Sequence, residues 1–278
     1  MEREQLGAGL RRRRIEAGLT GEQLARLLSV SQSKVSRIET GSTLPAPDDI
    51  TAWVLATGGG EQVRDDLLAR RESIATEVGT WRVLHRAGLR RAQETIFQRQ
   101  APARSIQTFQ PVMVPGLLQT ADYARRVMLQ GNPSEQPDVA EAVSARMQRQ
   151  QVLYDQTKSF EFIVTEHAIR WRPGPAQMQL AQLGHLMTIA TLPNLKLGVI
   201  PEGIEAPLPY LHPFILHEYE EDDPLVIVET YTAELQVRDA RDVELYRSYL
   251  GRLRRVAQWQ DRANRLIQTI SAALAERL

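Results

Sequence analysis

Five polar side chains near the start of the chain could form hydrogen bonds with the edges of nucleic-acid bases. They fall within residues 29–42, whose sequence is SVSQSKVSRIETGS. A glutamine amide can bond adenine through two hydrogen bonds, an arginine or lysine can pair with guanine, and serine suits several bases. The candidate base-reading residues are Gln32, Ser33, Lys34, Ser36 and Arg37.

The aliphatic residues of the same segment predict a helix that would present these groups outward. Val35 and Ile38 lie three residues apart, so they share one face of a helix. Ser31 is a suitable N-cap, and Gly41 is a suitable C-terminal stop. We therefore predict a recognition helix over residues 31–39 that buries two aliphatic side chains. An ordinary surface helix is the alternative, because many helices have a polar outward face.

A second short helix is predicted immediately before this one. Thr20 with Gln23 three residues later is the capping-box pattern of a helix start. The small side chain of Ala25 would let a neighbouring helix approach closely. Two short helices joined by about three residues form the expected supersecondary unit. The apolar residues that we expect to be buried are Leu24, Leu27 and Leu28 in this helix, and Leu6, Leu10 and Ile15 in the helix before it.

The stretch LTGEQLARLLSVSQSKVSRIETGSTLP resembles the helix-turn-helix of the xenobiotic-response-element (XRE) family, which is related to the phage Cro and CI repressors. The resemblance implies an all-α, five-helix domain over residues 1–76, completed by APDDITAWVLATG and GEQVRDDLLARRESIA. It also implies double-stranded DNA as the partner. The matching residues are Leu24, Ala25, Ser31, Val35, Ser36, Ile38, Glu39 and Gly41.

Gly21 and Glu39 are two positions in this stretch that affect contact with the DNA phosphates. Gly21 stands where the family often has a glutamine that contacts phosphate, so we expect Gln23 or one of the arginines at 11–14 to replace that contact. A free Glu39 carboxylate would repel phosphate, so we expect it to pair with Arg11 or Arg12. The residues assigned to the DNA-binding surface around the base-reading set are Ser31, Thr20, Gln23, Arg11 and Arg12.

The rest of the chain predicts a larger domain of the α+β class. Residues 77–100 read as a connector with a helix, and residues 101–278 as a domain whose sheet of about four strands is flanked by helices. The segments with the composition of strands are SFEFIVTE, LKLGVIP, HPFILHEY and PLVIVETY. The acidic turn EYEEDDP joins the last two, which could form a hairpin. The fold class of the whole chain is therefore α+β.

This larger region resembles DUF5753, a domain of unknown function found behind XRE-type units in high-GC bacteria. VPGLLQT followed by ADYA is the most specific part of a resemblance that extends over about residues 80–270. Some members are described as antitoxin-like regulators that work with a small partner protein. The resemblance therefore implies a regulatory and dimerisation domain. The alternative is an antitoxin-like protein-interaction module that binds a small partner protein and uses DNA binding for autoregulation.

Composition narrows the class of protein. The 278 residues include 34 basic and 34 acidic side chains, but the charges are segregated: residues 200–245 hold twelve acidic residues against two arginines. The absence of cysteine excludes disulfides, thiolate nucleophiles and cysteine-based zinc sites. No stretch approaches the roughly 18 apolar residues of a membrane helix, and the N-terminus does not have the pattern of a secretory signal. We expect a cytoplasmic protein that does not enter a membrane.

No arrangement of reactive side chains predicts an enzyme. The sequence has no HExxH, no GxSxG and no lysine-bearing glycine-rich phosphate loop. Its five histidines are scattered, and the adjacent Glu166 and His167 would diverge on a strand. The acidic run at 218–223 is more typical of a solvated hairpin tip than of a cation site. We predict no catalytic residue, no cofactor and no metal.

Several aromatic residues of the larger domain could line a pocket for a small-molecule effector. Packing in the core is the alternative for each of them. The candidate ligand-binding residues are Phe109, Tyr123, Phe162, Trp171, Tyr210 and Phe214.

The predicted function is that of a DNA-binding transcriptional regulator whose C-terminal domain senses a small ligand or a partner protein. We expect a homodimer, because two recognition helices related by a two-fold axis read a pseudo-palindromic operator. A C-terminal helix offers a candidate dimer element, with core packing as the alternative. Its apolar stripe consists of Leu245, Tyr249, Leu253 and Val256.

Overall fold

The computed structural model describes residues 2–80, 88–131, 138–230 and 232–276. Residues 81–87, which include His85 and part of the predicted connector, lie outside the described residues, as does the turn-rich NPSEQP segment at 132–137. The chain divides into two compact units. The first comprises residues 1–78 with 221–225 and 235–243, and the second comprises the remaining residues.

The first unit contains the predicted bundle of five helices. Its core is apolar, and the Nε1 of the buried Trp53 donates to the Leu10 carbonyl at 3.1 Å. The helices are α1 Glu2–Glu16, α2 Gly21–Leu27, α3 Gln32–Thr40, α4 Pro47–Ala56 and α5 Glu61–Ala75. The residues at the centre of the core are Leu6, Leu10, Leu24, Val35, Ile38, Trp53 and Ile74.

Two apolar side chains of this unit that were predicted to be buried are exposed. Ile15 is 58% exposed and Leu27 is 60% exposed. Ile15 follows the buried Leu10 by five residues, which places it about 140° further around the helix. Leu27 lies about 110° from the middle of the buried face formed by Leu24 and Ala25. The prediction counted apolar residues without requiring one continuous helical face.

Two short segments from later in the chain complete the first unit. Asp223 accepts hydrogen bonds from the Leu44 backbone N–H at 2.6 Å and from the Nη2 of Arg3 at 3.2 Å. Asp239 forms an ion pair of 2.6 Å with Arg71, a side chain that is almost completely buried. The Asp239 carboxylate therefore compensates the burial of the Arg71 cation.

The strands form one sheet in the order β1-β7-β6-β5-β2-β3-β4-β8. Strands β2, β3 and β4 are parallel neighbours, whereas β5 is antiparallel to β2 and β8 is antiparallel to β4. The bounds are β1 Thr76–Thr80, β2 Ser105–Gln110, β3 Ser159–Thr165, β4 Leu195–Ile200, β5 Phe214–Glu218, β6 Leu225–Glu229, β7 Ala233–Val237 and β8 Gln258–Trp259.

The α+β class is confirmed, but the expected number of strands was too low. In the described residues the sheet has seven strands of five to seven residues and the two-residue β8. All four predicted segments are strands, and β5 and β6 are neighbours in the sheet, as expected of a hairpin. The missed strands β1, β2 and β7 read TEVGT, SIQTFQ and AELQV. Their polar residues conceal the apolar pattern, because five or six residues give few repeats to detect.

Helices cover both faces of the sheet in the second unit. Helices α10 and α12 pack on one face, against buried residues such as Phe160 and Leu197. Helix α11 lies on the other face, where the ring of Tyr246 is 4.8 Å from that of Phe214 and Arg254 Nε donates to Glu161 at 2.8 Å. The bounds are α6 Leu89–Gln100, α7 Ala121–Gln130, α8 Val139–Arg149, α9 Glu166–Arg170, α10 Ala176–Ile189, α11 Ala240–Val256 and α12 Asp261–Ala275.

The apolar stripe considered for dimerisation does not form one surface of α11. Leu253 is fully buried together with Leu250, whereas Leu245 is 48% exposed and Tyr249 is half-buried. Packing within the chain therefore accounts for Leu253. Leu245 remains on the outer side of the helix.

Candidate DNA-binding surface

Helix α3 is fixed at both ends by residues of its own sequence. The Ser31 Oγ accepts a hydrogen bond from the Lys34 backbone N–H at 3.1 Å, which is the predicted N-cap. Gly41 ends the helix with φ at 77°, in the left-handed region that favours glycine. A Cβ at Gly41 would also lie 2.8 Å from the backbone nitrogen of Glu4. Both the backbone conformation and the close approach of α1 therefore require glycine at this position.

The buried side of α3 rests on α1. Val35 and Ile38 are each 1% exposed, as predicted. Burial of each side chain contributes about 1.5–3 kcal/mol to folding. A Cβ at Gly7 would lie 2.4 Å from the Ile38 carbonyl oxygen and 2.8 Å from that of Glu39. The backbones of α1 and the last turn of α3 are thus in direct contact, which fixes the direction of α3.

The Glu39 carboxylate is bound by two arginines of α1: closely by Arg14, which was not predicted, and at a longer distance by Arg11, which was. Arg14 donates to it from Nη2 at 2.8 Å and from Nε at 2.5 Å, whereas the Nε of Arg11 is 3.9 Å away. The hydrogen bond that Arg14 donates to Glu39 raises the pKa of Arg14 against the opposing effect of burial. Because the carboxylate is neutralised, it does not repel a phosphate near the end of α3.

The opposite side of α3 carries the predicted polar groups. Lys34 differs from the other members of the set, because it is half-buried and its Nζ lies 2.9 Å from the Oδ1 of Asp49. Asp49 also accepts from the Ala46 backbone N–H at 2.9 Å in the first turn of α4. The exposed members of the set are Gln32, Ser33, Ser36 and Arg37.

The residues expected to surround the reading face lie at the surface of the first unit. Thr20 Oγ1 accepts from the Gln23 N–H at 3.1 Å, and Gln23 Oε1 accepts from the Thr20 N–H at 2.8 Å, so the predicted capping box is present. The capping box uses the side-chain oxygen of Gln23, and its exposed amide nitrogen can still donate. Arg11 and Arg12 are exposed cations on α1.

The aromatic residues considered for a ligand pocket occupy different places in the second unit. Tyr210 lies with its ring 5.4 Å from that of Phe109. Tyr123 and Trp171 pack against each other at 6.1 Å within the main core. Three of the six line one cavity of about 220 Å³, namely Phe109, Phe162 and Phe214.

The charged residues of that cavity were not predicted. Arg146 and Arg149 are one turn apart on α8 and both line it, together with Glu229 at the end of β6. The available signal was the spacing of three residues on a predicted helix, which places two cations on the same face. That signal was weak, because arginines on helices are usually solvated.

Glu166 and His167 lie at the start of α9 and not on a strand as assumed. The Glu166 carboxylate accepts from Arg170 Nε at 2.7 Å and from the Glu202 backbone N–H at 2.9 Å. These bonds give it a structural function. Within the described ranges, no group of three or more histidine, aspartate or glutamate side chains is arranged to hold a metal. The helices of those ranges include none that is both long and apolar enough to cross a membrane.

Known families match both the N-terminal and the C-terminal part of the chain. Residues 5–67 match the family described as a helix-turn-helix domain, which supports a DNA-binding regulator. Residues 93–269, well over half of the chain, match the domain of unknown function DUF5753. Neither a curated protein nor a solved structure matches the sequence significantly. The chain therefore belongs to the DUF5753 family, and it carries a helix-turn-helix domain N-terminal to this domain.

Proposed function

We propose that this protein is a sequence-specific transcriptional regulator in which α3 reads DNA from the major groove. The observation that carries the proposal is the division of α3 into two sides. Val35 and Ile38 are buried, while four side chains with base-reading chemistry are exposed on the opposite side.

Different residues of the surface would have different functions in the complex. Gln32 and Arg37 are the strongest candidates for direct base contacts, because each can form two hydrogen bonds to one base. Ser33 and Ser36 would contribute single bonds. Lys34 would serve DNA binding less directly, because its ammonium group is already paired with Asp49.

The cations around α3 would position it on the DNA backbone. Arg11 and Arg12 are exposed on α1, and Thr20 and Gln23 lie at the start of α2, where backbone N–H groups favour a phosphate. Such contacts add affinity for every sequence and make binding dependent on salt.

The regulator would act as a homodimer that responds to a signal through its second unit. One α3 helix reaches only a few base pairs, so two copies on a pseudo-palindromic operator provide the specificity that one lacks. The cavity lined by Phe109, Phe162 and Phe214 supports a small-molecule signal. A small protein that co-purified in equal amounts would instead favour the antitoxin-like alternative.

Selection of binding sites from random duplex DNA, followed by fluorescence anisotropy on the selected operator, tests the proposal. We expect R37A and Q32A each to lose about 1–3 kcal/mol of discrimination at one base position. R12A should weaken binding to all sequences alike and reduce the salt slope by about one. R265A, which removes an exposed arginine from α12, is the matched control and should change neither quantity. The assignment of α3 as the recognition helix fails if R37A and Q32A both retain the discrimination of the wild type.

A further inference from the structure

The cavity of the second unit is small, lined by residues of several elements and apolar over much of its wall. Its volume of about 220 Å³ is below the ~300–1,000 Å³ typical of drug-sized ligands. It equals the room of about seven water molecules. The apolar residues that line it include Val127, Phe109, Phe162, Phe214 and Ile215. A ligand of this cavity would therefore be a small molecule with a compact apolar part, about the size of one ring.

The remaining wall carries an excess of buried positive charge. Arg146 and Arg149 both line the cavity, and Glu229 is the one acidic residue of the described lining. The neighbouring Glu234 carboxylate is paired with Arg99 at 2.7 Å. Two guanidinium groups therefore face one carboxylate.

Polar atoms of this wall have no partner in the described part of the chain. Arg149 is 5% exposed, and its buried Nε forms no hydrogen bond there. The buried Oε1 of Gln100, a residue 2% exposed, is also without one. Buried polar groups are normally hydrogen-bonded, and those that are not require an explanation such as a ligand.

The charges of the wall influence one another. Burial lowers the pKa of Arg149, and the adjacent Arg146 cation lowers it further, whereas Glu229 acts in the opposite direction. Arginine nevertheless keeps its proton at neutral pH, so both cations persist. Burial and the Glu234 carboxylate raise the pKa of Glu229, against the effect of the arginines. Any protonation of Glu229 increases the excess of positive charge.

Amide side chains hold Arg146 in place, whereas Arg149 lies beside Gly116. Arg146 donates to the Gln119 Oε1 at 2.6 Å and to the Gln93 Oε1 at 3.1 Å. A Cβ at Gly116 would lie 3.1 Å from Arg149 Nη2, so glycine leaves the room that this guanidinium occupies. Arg146 is thus fixed by two amides, whereas Arg149 keeps donors free for a ligand.

We propose that this cavity binds a small monocarboxylate, with the carboxylate bonded to Arg149 and the apolar body against Phe162, Ile215 and Val127. A single negative charge matches the residual charge of two arginines and Glu229. A doubly charged phosphate ester would bring more charge than the wall can neutralise. The inference deepens the proposed function, since it names the class of signal, and it rests on that function for its regulatory meaning.

Isothermal titration calorimetry of the full chain tests the site with phenylacetate as the probe. The uncharged phenylacetamide and the more highly charged phenyl phosphate are the comparison ligands. We expect phenylacetate to bind, and phenylacetamide and phenyl phosphate to bind at least roughly tenfold more weakly. Absence of binding by phenylacetate, or equal or tighter binding of either comparison ligand, would overturn the assignment.

Variants of the charged wall residues test how the charge of the wall affects the affinity for phenylacetate. R149M should weaken phenylacetate binding roughly 10-fold to 100-fold, whereas E229Q should strengthen it. R91Q, at an exposed arginine of α6, is the control and should bind as the wild type does. R149M with wild-type affinity would refute the proposed contact. E229Q keeps the proposal testable if R149M does not fold, because unchanged or weakened binding in E229Q contradicts it.

The DNA-binding proposal is measured separately in the same preparations. If operator binding is intact but phenylacetate does not bind, the carboxylate site is refuted and the proposed regulator stands. If phenylacetate binds but no operator can be selected, the proposed function fails and the site stands.

Discussion

Replacement of Gly7 by alanine should destabilise the first unit, whereas the same replacement at Gly9 should stabilise it. Both glycines lie within α1, where alanine is favoured over glycine by about 1 kcal/mol. A Cβ at Gly9 meets no atom within 4 Å, so this variant should show the helix propensity alone. A Cβ at Gly7 meets the Ile38 carbonyl oxygen at 2.4 Å, and a backbone atom cannot rotate away.

The size of the effect follows from these two contributions. Overpacking costs about 1–3 kcal/mol, and a clash with backbone belongs at the upper end of this range. After the gain in propensity, G7A should lower the free energy of unfolding of the first unit by about 2 kcal/mol. G9A should raise it by about 1 kcal/mol. The two variants should therefore differ by about 3 kcal/mol although their chemistry is identical.

Hydrogen exchange measured by mass spectrometry on the full chain can assign this difference to the first unit. Amide protection in α1 to α4 reports the local free energy of opening, independently of the second unit. G7A should lose protection there and bind the operator more weakly, whereas G9A should bind as the wild type does. Equal protection in the two variants would refute the direct packing of α1 on α3, which fixes the direction of α3.

Three further predictions concern single side chains. E39Q should lower the free energy of unfolding by about 2 kcal/mol, because it weakens the largely buried pair with Arg14. E22Q is the control at the exposed pair with Arg26 and should lower it by at most about 0.5 kcal/mol. Equal losses in urea unfolding would contradict this distinction between buried and exposed pairs. S31A should lower the free energy of unfolding by about 1 kcal/mol, because it removes the N-cap of α3. An unchanged midpoint in urea unfolding would exclude a contribution from this hydrogen bond. E229Q should become more stable relative to the wild type as the pH rises above about 4.3, the ordinary pKa of glutamate. The pKa of Glu229 is raised in the folded protein, despite the opposing charges of Arg99, Arg146 and Arg149. Just above the ordinary pKa, the folded wild type therefore still holds a proton that the unfolded chain has released. The free energy of unfolding of the wild type falls as the pH rises from the ordinary pKa to the raised one. Thermal unfolding of both proteins from pH 4 to 8 measures this, and a difference that does not change with pH would count against it.

The local features of the first unit could be predicted from sequence because they depend on neighbouring residues. The Ser31 cap, the Thr20 capping box and the burial of Val35 and Ile38 all follow from spacings of three residues. A helix places such residues together whatever the rest of the protein does. The α+β class could likewise be inferred from runs of residues with strand or helix periodicity.

The interactions between elements could not be derived in this way. Glu39 was expected to pair with Arg11 or Arg12. Arg11 does lie 3.9 Å from it, but the close contact comes from Arg14, and this choice depends on how closely two helix backbones approach. Lys34 has a side chain that could contact a base, yet Asp49 of α4 forms an ion pair with it across the bundle. Pairings of this kind depend on distances that the order of residues alone does not specify.

The segment VPGLLQTADYA has no reactive group, yet its hydrogen bonds explain why these residue types stand together. Gln119 Nε2 donates to the Val114 carbonyl at 2.8 Å, which leaves its Oε1 directed at Arg146. The Val114 N–H donates to the hydroxyl of Tyr123 at 3.3 Å, and Thr120 caps the helix that carries this tyrosine. The turn and α7 thus form one frame, in which the remaining amide oxygen of Gln119 binds the buried Arg146 cation. If the frame serves the cavity, Q119L should reduce the affinity for phenylacetate while Arg149 remains in place. If it serves folding alone, Q119L should lower the stability of the second unit and leave the affinity of the folded protein unchanged.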